Sequence, residues 1–289
     1  MEAAGKRYIT HQSCTERFTI TNFSDLHVGA AACAEGALQE DIQKMADDPY
    51  AFWIGGGDYA DYIGYTDGKR FDPDSVADWY SVADLGDLGR KSVERVRDLL
   101  LPIKHKCLGL LLGNHEKAYQ RHNQQEGLHG WLCAEMGAPN LGYCALFDLV
   151  FIKQAKVGLP KLVEKRGAKA KTSSASFRVF CHHGAGYAQT AGGKLNRLIA
   201  FMQRFDADMY FCGHVHDRVA RRMAQIGADA NCGKLVQRER IGVVSGSYLM
   251  TYAQGVTATY GEQRGYEPVP MGSSSIIVVP HTRELHASV

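Results

Sequence analysis

No stretch of this 289-residue chain reaches the roughly 18 consecutive apolar residues that a membrane-spanning helix needs. The opening segment, MEAAGKRYITHQSCTERFTI, lacks the apolar centre of a secretory signal. A soluble, cytoplasmic protein with no membrane partner is expected. Net charge is nearly absent: 33 Lys and Arg against 31 Asp and Glu leave +2, so no overall field draws the chain to a polyanion. Recognition of a polyanion has to be local. Also missing are the Gly-x-x-x-x-Gly-Lys-Ser/Thr phosphate loop, the Gly-x-Ser-x-Gly nucleophile elbow and the dinucleotide fingerprint, which removes three large enzyme classes. There is no repeat, no low-complexity linker and no coiled-coil pattern, so oligomeric state is left open. The eight cysteines, in a chain of this size without a secretion signal, read as reduced thiols. Cys107, Cys181 and Cys212 sit in apolar runs and are expected in the core.

Five short apolar runs each stop at a polar cluster: FTITNFSDLH, YAFWIGGGD, CLGLLLGNHE, FRVFCHHG and MYFCGHVH. Each reads as a buried strand followed by a loop. Helical spacing fills the intervals, in LQEDIQKMADD, RKSVERVRDLLLPI and KLNRLIAFMQRF, where Leu195, Leu198, Ile199 and Met202 mark one expected buried face. Alternating strands and helices predict an α/β layer structure. Two further strands are expected in IGVVSGSYLMTY and SSSIIVVP. The whole of 1–289 reads as one domain with a basic insert at about 153–171, where Lys153, Lys156, Lys161, Lys165, Arg166, Lys169 and Lys171 face Glu164 alone. Such an insert is either a solvated loop or hairpin, or an arm that touches a phosphate-rich substrate.

In α/β proteins functional groups gather beyond the carboxyl ends of strands, so the five clusters can form one site. The first supplies Asp25 and His27, the second Asp58 behind three glycines, the third Asn114 and His115, the fourth His182 and His183, the fifth His214 and His216. Residues two apart on a strand point the same way, which lets His214 and His216 converge. The inventory suffices for two divalent ions, which, held about 3.5–4 Å apart, need a bridging carboxylate and further N or O ligands. Asp58 is the best bridge, because its glycines permit close approach. Asp25, His27 and His216 complete one ion; Asn114, His214 and one of the pair His182/His183 complete the other. Mixed carboxylate, imidazole and amide donors favour Mn, with Fe, Zn or Ni as alternatives, over Mg or Ca. A thiolate zinc site using Cys181 and Cys212 competes, but leaves Asp25, Asp58 and Asn114 without a purpose.

The ordered series Asp-x-His, GGD, GNHE, His-His-Gly and GHVH, from Asp25 to His216, resembles the calcineurin-like metallophosphoesterase superfamily. That resemblance implies an α/β fold built as a two-sheet β-sandwich flanked by helices in four layers, with a dinuclear metal centre and an attacking bridging hydroxide. Carried over by position, Asp25, His27, Asp58 and His216 match the ligands of one metal; Asp58, Asn114, His182 and His214 match those of the other. His182 is preferred to His183 because the family ligand is followed two residues later by Pro or Gly, here Gly184. The resemblance gives His115 the leaving-group role and makes Glu116 the candidate to orient it, or else a helix-start carboxylate.

GGDYADY and LLGNHE resemble protein-phosphatase motifs whose arginines grip a dianionic monoester, but Tyr62 and Leu112 stand in the arginine positions. With GHVH closer to the phosphodiesterase and nuclease branches, a phosphodiesterase acting on nucleotides or nucleic acid is expected. Its alternatives are a phosphomonoesterase on small phosphorylated metabolites or nucleotides, and a catalytically silent scaffold of the same fold. In GAGYAQTAGGKLNRL, Lys194, Asn196 and Arg197 can reach a phosphate, or the stretch is a plain glycine-rich helix entry. This stretch and YGEQRGYEPVP also resemble phage- and prophage-encoded members of the superfamily, which would place the protein in a host cytoplasm.

Overall fold

The computed structural model of the chain describes residues 1–123, 127–154, 158–164, 173–186, 188, 190–228, 233–268 and 270–289. In chain order its strands are β1 (Glu2–His11), β2 (Phe18–Phe23), β3 (Ala51–Gly55), β4 (Cys107–Leu110), β5 (Cys144–Lys153), β6 (Lys161–Val163), β7 (Ser174–His182), β8 (Met209–Cys212), β9 (Val219–Ala228), β10 (Leu235–Val244), β11 (Ser274–Val279) and β12 (Glu284–Ser288). The helices are α1 (Glu35–Asp47), α2 (Leu88–Leu100), α3 (Asn114–Asn123), α4 (Leu128–Met136), α5 (Ala191–Arg204) and α6 (Tyr260–Gln263). One mixed sheet has the order β12-β11-β2-β3-β4, the other β6-β1-β5-β7-β8-β10-β9.

Side-chain alternation sorts each strand between two cores. Along β3, Phe52 and Ile54 enter the layer between the sheets with Ile20, Phe151, Val179 and Phe211. Ala51 and Trp53 face outward against Leu38 and Ile42 of α1, Val96 of α2 and Leu132 of α4. On the far side Phe180 and Tyr210 pack against Leu198, Phe201 and Met202 of α5. The layers run helices, sheet, sheet, helix, which is the predicted sandwich. All five predicted strand runs are strands in this fold.

Several local expectations change. On α5 the fully buried residues are Lys194, Leu198, Phe201 and Met202, while Leu195 and Ile199 are only half-buried, because Phe201 fills the space against Phe180. IGVVSGSYLMTY stays a strand only to Val244. Beyond it Ser245 and Ser247 donate their hydroxyls to the carbonyls of Asn22 and Asp25, both at 2.8 Å, and lead the chain across the edge of the other sheet. Within the basic insert, Lys161–Val163 is an edge strand antiparallel to β1. Lys156, Lys165, Arg166, Lys169 and Lys171 lie outside the described residues. Each cysteine among the described residues is a free thiol, and Cys107, Cys181 and Cys212 are buried. No helix among the described residues is long and apolar enough to cross a membrane.

Register places the site. Phe23 pairs with Gly55 and Gly55 with Leu110, so β2, β3 and β4 end level. In the second sheet His182 pairs with Cys212, ending β7 and β8 together. Asn22 links the two sheets there, its side-chain amide donating to the Cys212 carbonyl at 3.1 Å.

Buried His129 of α4 stacks on Tyr59 and donates from Nε2 to Asn140 Oδ1 at 3.2 Å. Burial lowers its pKa to about 4, the Asn140 bond opposing only weakly. Its folded pKa lies below the unfolded value, so its contribution is present above about pH 6.5 and is lost as the pH falls towards 4. Relative to His129→Gln, the wild type is expected to lose about 2 kcal/mol between pH 7.5 and pH 5. Urea unfolding of both proteins at the two pH values measures this; parallel losses would refute it.

Candidate metal centre

Five residues at the strand ends, Asp25, His27, Asp58, His214 and His216, adopt left-handed backbone with φ between 46° and 71°. For residues with a Cβ this conformation is costly and persists only where the surroundings impose it. Here the loops hold one another. Asp25 and His27 donate their amides to the carbonyls of Gly57 (2.9 Å) and Asp58 (3.1 Å). The amide of His214 donates to Asp25 Oδ2 at 2.8 Å. The buried Glu116 carboxylate accepts from the amides of Asp58 (3.0 Å), Tyr59 (2.8 Å) and Gly113 (2.9 Å), fastening the β3 and β4 loops together. Gly113 must lack a side chain, since a Cβ there would strike the Asp58 carboxylate and amide. At Gly213 it would strike Ser24 and the Asp25 carboxylate.

These loops bring donor atoms into three overlapping groups: Asp25, His27 and His216; His27, Asp58 and His115; Asp58, His183 and His214. Within each group the donor atoms lie within 4.8 Å of one another. His216 Nε2 is 3.2 Å from Asp25 Oδ1 and 3.4 Å from His27 Nε2. On the other side His183 Nε2 is 2.8 Å from Asn114 Oδ1 and 3.3 Å from Asp58 Oδ2. Asp58 belongs to groups on both sides.

The donor set fits divalent cations. His183 Nδ1 donates to the Gly56 carbonyl at 2.8 Å, so a neutral His183 turns an unshared pair on Nε2 towards two oxygen acceptors. Only a positive charge relieves that crowding. Burial disfavours the imidazolium, yet the charge of Asp58 prevails and raises the His183 pKa to about 10. Burial likewise opposes ionisation of Asp25, yet His216 holds its pKa near 2. Among the described residues Asp25 Oδ1 is buried without a hydrogen-bond donor in good geometry. An orphaned carboxylate oxygen, facing nitrogens and two carboxylates suit cations with mixed N and O shells.

The structure gives the predicted residues unequal places. Asp25, His27, Asp58, Asn114, His214 and His216 converge. His182, the preferred member of the histidine pair, does not: it stacks on Phe201 at 4.6 Å and accepts the Gly184 amide at Nδ1, and burial lowers its pKa to about 4. The reason is strand parity, since Phe180 and His182 face α5 while Val179, Cys181 and then His183 face the other way. His183 takes the place expected of His182. Glu116 does not orient the His115 ring; its carboxylate is spent on backbone amides, and burial, then Asp58, raises its pKa to about 7. Asp61 does the orienting. Its carbonyl accepts from His115 Nδ1 and its Oδ1 lies 3.4 Å from His27 Nδ1. It stands inside GGDYADY, three residues after Asp58, and that spacing was the available signal. Lys194 is buried against Asp217, Nζ to Oδ2 at 3.3 Å, rather than free to reach substrate. Arg197 is exposed, with its guanidinium close to Gly186. Cys181 and Cys212 remain in the apolar cores, away from any thiolate site.

The sequence matches the calcineurin-like phosphoesterase family over residues 18–218, which span every residue of these groups. The chain belongs to that family. By class it is a metal-dependent phosphoesterase, a hydrolase. No curated protein matches it in sequence. Among solved structures it is similar to a single mutant of Vps29 from Entamoeba histolytica, at 11% identity over 94% of this chain and 98% of that one, with a TM-score of 0.34. Membership of the phosphoesterase family rests on the sequence match.

The geometry distinguishes the two neighbouring histidines by experiment. Removing His183 by His183→Ala should weaken Mn²⁺ binding at least tenfold, whereas His182→Ala should leave it within about twofold. Calorimetric titration of both variants decides it; equal losses would return His182 to the centre. Gly113→Ala should destabilise the fold by about 2 kcal/mol or more, read by urea unfolding, because the Asp58 loop has nowhere to move.

Proposed function

We propose that this phosphoesterase is a phosphodiesterase with a dinuclear centre, acting on nucleotides or nucleic acid. The observation that carries the reading is the sharing of Asp58 between donor groups on either side, with Asp25, His27 and His216 on one and Asn114, His183 and His214 on the other. These residues would hold two divalent transition-metal ions, Mn by preference and Fe, Zn or Ni otherwise, which would supply Lewis-acid charge and activate water. The chain's own residues do the rest. Asp58, which belongs to a donor group on each side, would serve both positions. The amide of His115 donates to Asp58 Oδ1 at 2.8 Å, and its ring is anchored through Nδ1 on Asp61, which leaves Nε2 to hold the proton for the departing oxygen. Asp61 is the positioning residue for both His115 and His27.

Diester preference is supported by the two positions at which a monoesterase carries arginine. Tyr62, where a monoesterase would carry an arginine, is a buried ring tilted against Tyr119, and Leu112 offers no charge. No guanidinium from these positions grips a dianion. The free thiols fit a reducing compartment, the cytoplasm.

Hydrolysis of bis(p-nitrophenyl) phosphate and of p-nitrophenyl phosphate with Mn²⁺ tests the reading. The diester should turn over faster, His115→Ala should lower kcat by about 10²–10⁴, and Asp58→Asn should abolish turnover. Faster monoester turnover would identify a phosphomonoesterase. A Mn²⁺-loaded protein inert on both would favour a silent scaffold.

A further inference from the structure

Helix α3 begins at the metal centre and leads away from it, carrying Asn114, Ala118, Arg121 and His122 along one face. Opposite that face runs the 66–70 loop. Between them lies an open groove of about 650 Å³, to which the loop adds Lys69 and Arg70. Asn114 belongs both to the groove and to the donor cluster, where its Oδ1 meets His183, so the groove borders the cluster. The helix rise puts Arg121 about 10 Å beyond Asn114, too far to serve the scissile phosphate.

The groove is cationic. Among the described residues lining it, Lys69, Arg70 and Arg121 face a single carboxylate, Asp67, which is buried, forms an ion pair with Arg70, and has His122 Nε2 3.6 Å from its Oδ2. Asp67 pins the loop against α3, and Lys69 and Arg121 are left exposed. Thr66 and His122 also line a second cavity of about 240 Å³, which adds Tyr65, Leu85 and Leu88. Tyr65 is 63% exposed. A row of cations leading from the reaction centre to a pocket lined by Tyr65 and Tyr119 is the combination that single-stranded nucleic acid requires, phosphates tracked by charge and an unstacked base received on a ring.

We propose that this groove binds the nucleotide next to the scissile bond in a single-stranded oligonucleotide, with Lys69 and Arg121 on its flanking phosphates and Tyr65 beneath its base. This names the substrate class of the phosphodiesterase reading and rests on it for catalysis, although not for binding.

The test separates binding from turnover. Fluorescence anisotropy with a labelled octathymidylate in EDTA reads the groove alone. Lys69→Ala combined with Arg121→Ala should weaken binding about tenfold and lower the slope of log K against log salt by about 1.4, the single-strand value for two lost phosphate contacts. Tyr65→Ala should weaken binding without moving the slope. With Mn²⁺, the double variant should lose at least tenfold more kcat/KM on the oligonucleotide than on bis(p-nitrophenyl) phosphate, which has no flanking phosphate. A wild type that does not bind the oligonucleotide, or a double variant with unchanged affinity and slope, overturns the groove. Binding that behaves as expected in a protein inert on every diester would instead overturn the catalytic reading and leave the groove standing.

Discussion

Buried electron pairs repel one another, and this fold assembles them deliberately at the meeting of two sheets. Asp25 Oδ1, Asp58 Oδ2, Asn114 Oδ1 and the ring nitrogens of His27, His183 and His216 converge, and positive charge on His183 or a bound cation has to offset them. Such a cluster is unfavourable in the low-dielectric interior unless positive charge is supplied. Much of the surrounding architecture exists to hold it nonetheless: five left-handed residues, glycines with no room for a side chain, and the Glu116 carboxylate bound to three amides. Destabilised local structure of this kind is found where a site must be formed before its ligand arrives.

The strand-end groups were legible because buried parallel strands have a plain signature. Their residues are apolar on both faces, so the run stops abruptly where the chain leaves the sheet, and the polar residues that follow must lie at one edge. AFWIG, CLGL and MYFC show it, and the groups beyond them converge. The same property hid the choice between His182 and His183. With Val179, Phe180 and Cys181 all buried, the stretch just before the pair shows no alternation, and the parity is set earlier, where exposed Arg178 separates buried Phe177 from buried Val179. The packing of Phe180 against α5 agrees with that parity.

Other elements were silent for the opposite reason. The β9–β10 hairpin reads VARRMAQIGA and LVQRER, with exposed charges on both faces and Ile226 and Leu235 in solvent, so it offers no pattern of burial to read. Lys194 was misjudged because a lysine near a glycine-rich turn looks free in sequence, whereas Asp217, distant along the chain, folds back to pair with it. Asp61 lay in full view within its motif; what the letters could not supply was that its carbonyl and its carboxylate serve two different histidines.

The two sheets do not contribute equally to the cluster. Asp25, His27, Asp58 and Asn114 follow strands of the five-stranded sheet; His183, His214 and His216 follow strands of the seven-stranded one. Anything that binds both sets is therefore a rivet through the sandwich, and its affinity adds to the cohesion of the two halves in proportion to its occupancy. Chelation would then do more than silence a reaction: it would loosen the seam along which the layers are joined, and thermal stability would become a gauge of how much metal the protein carries.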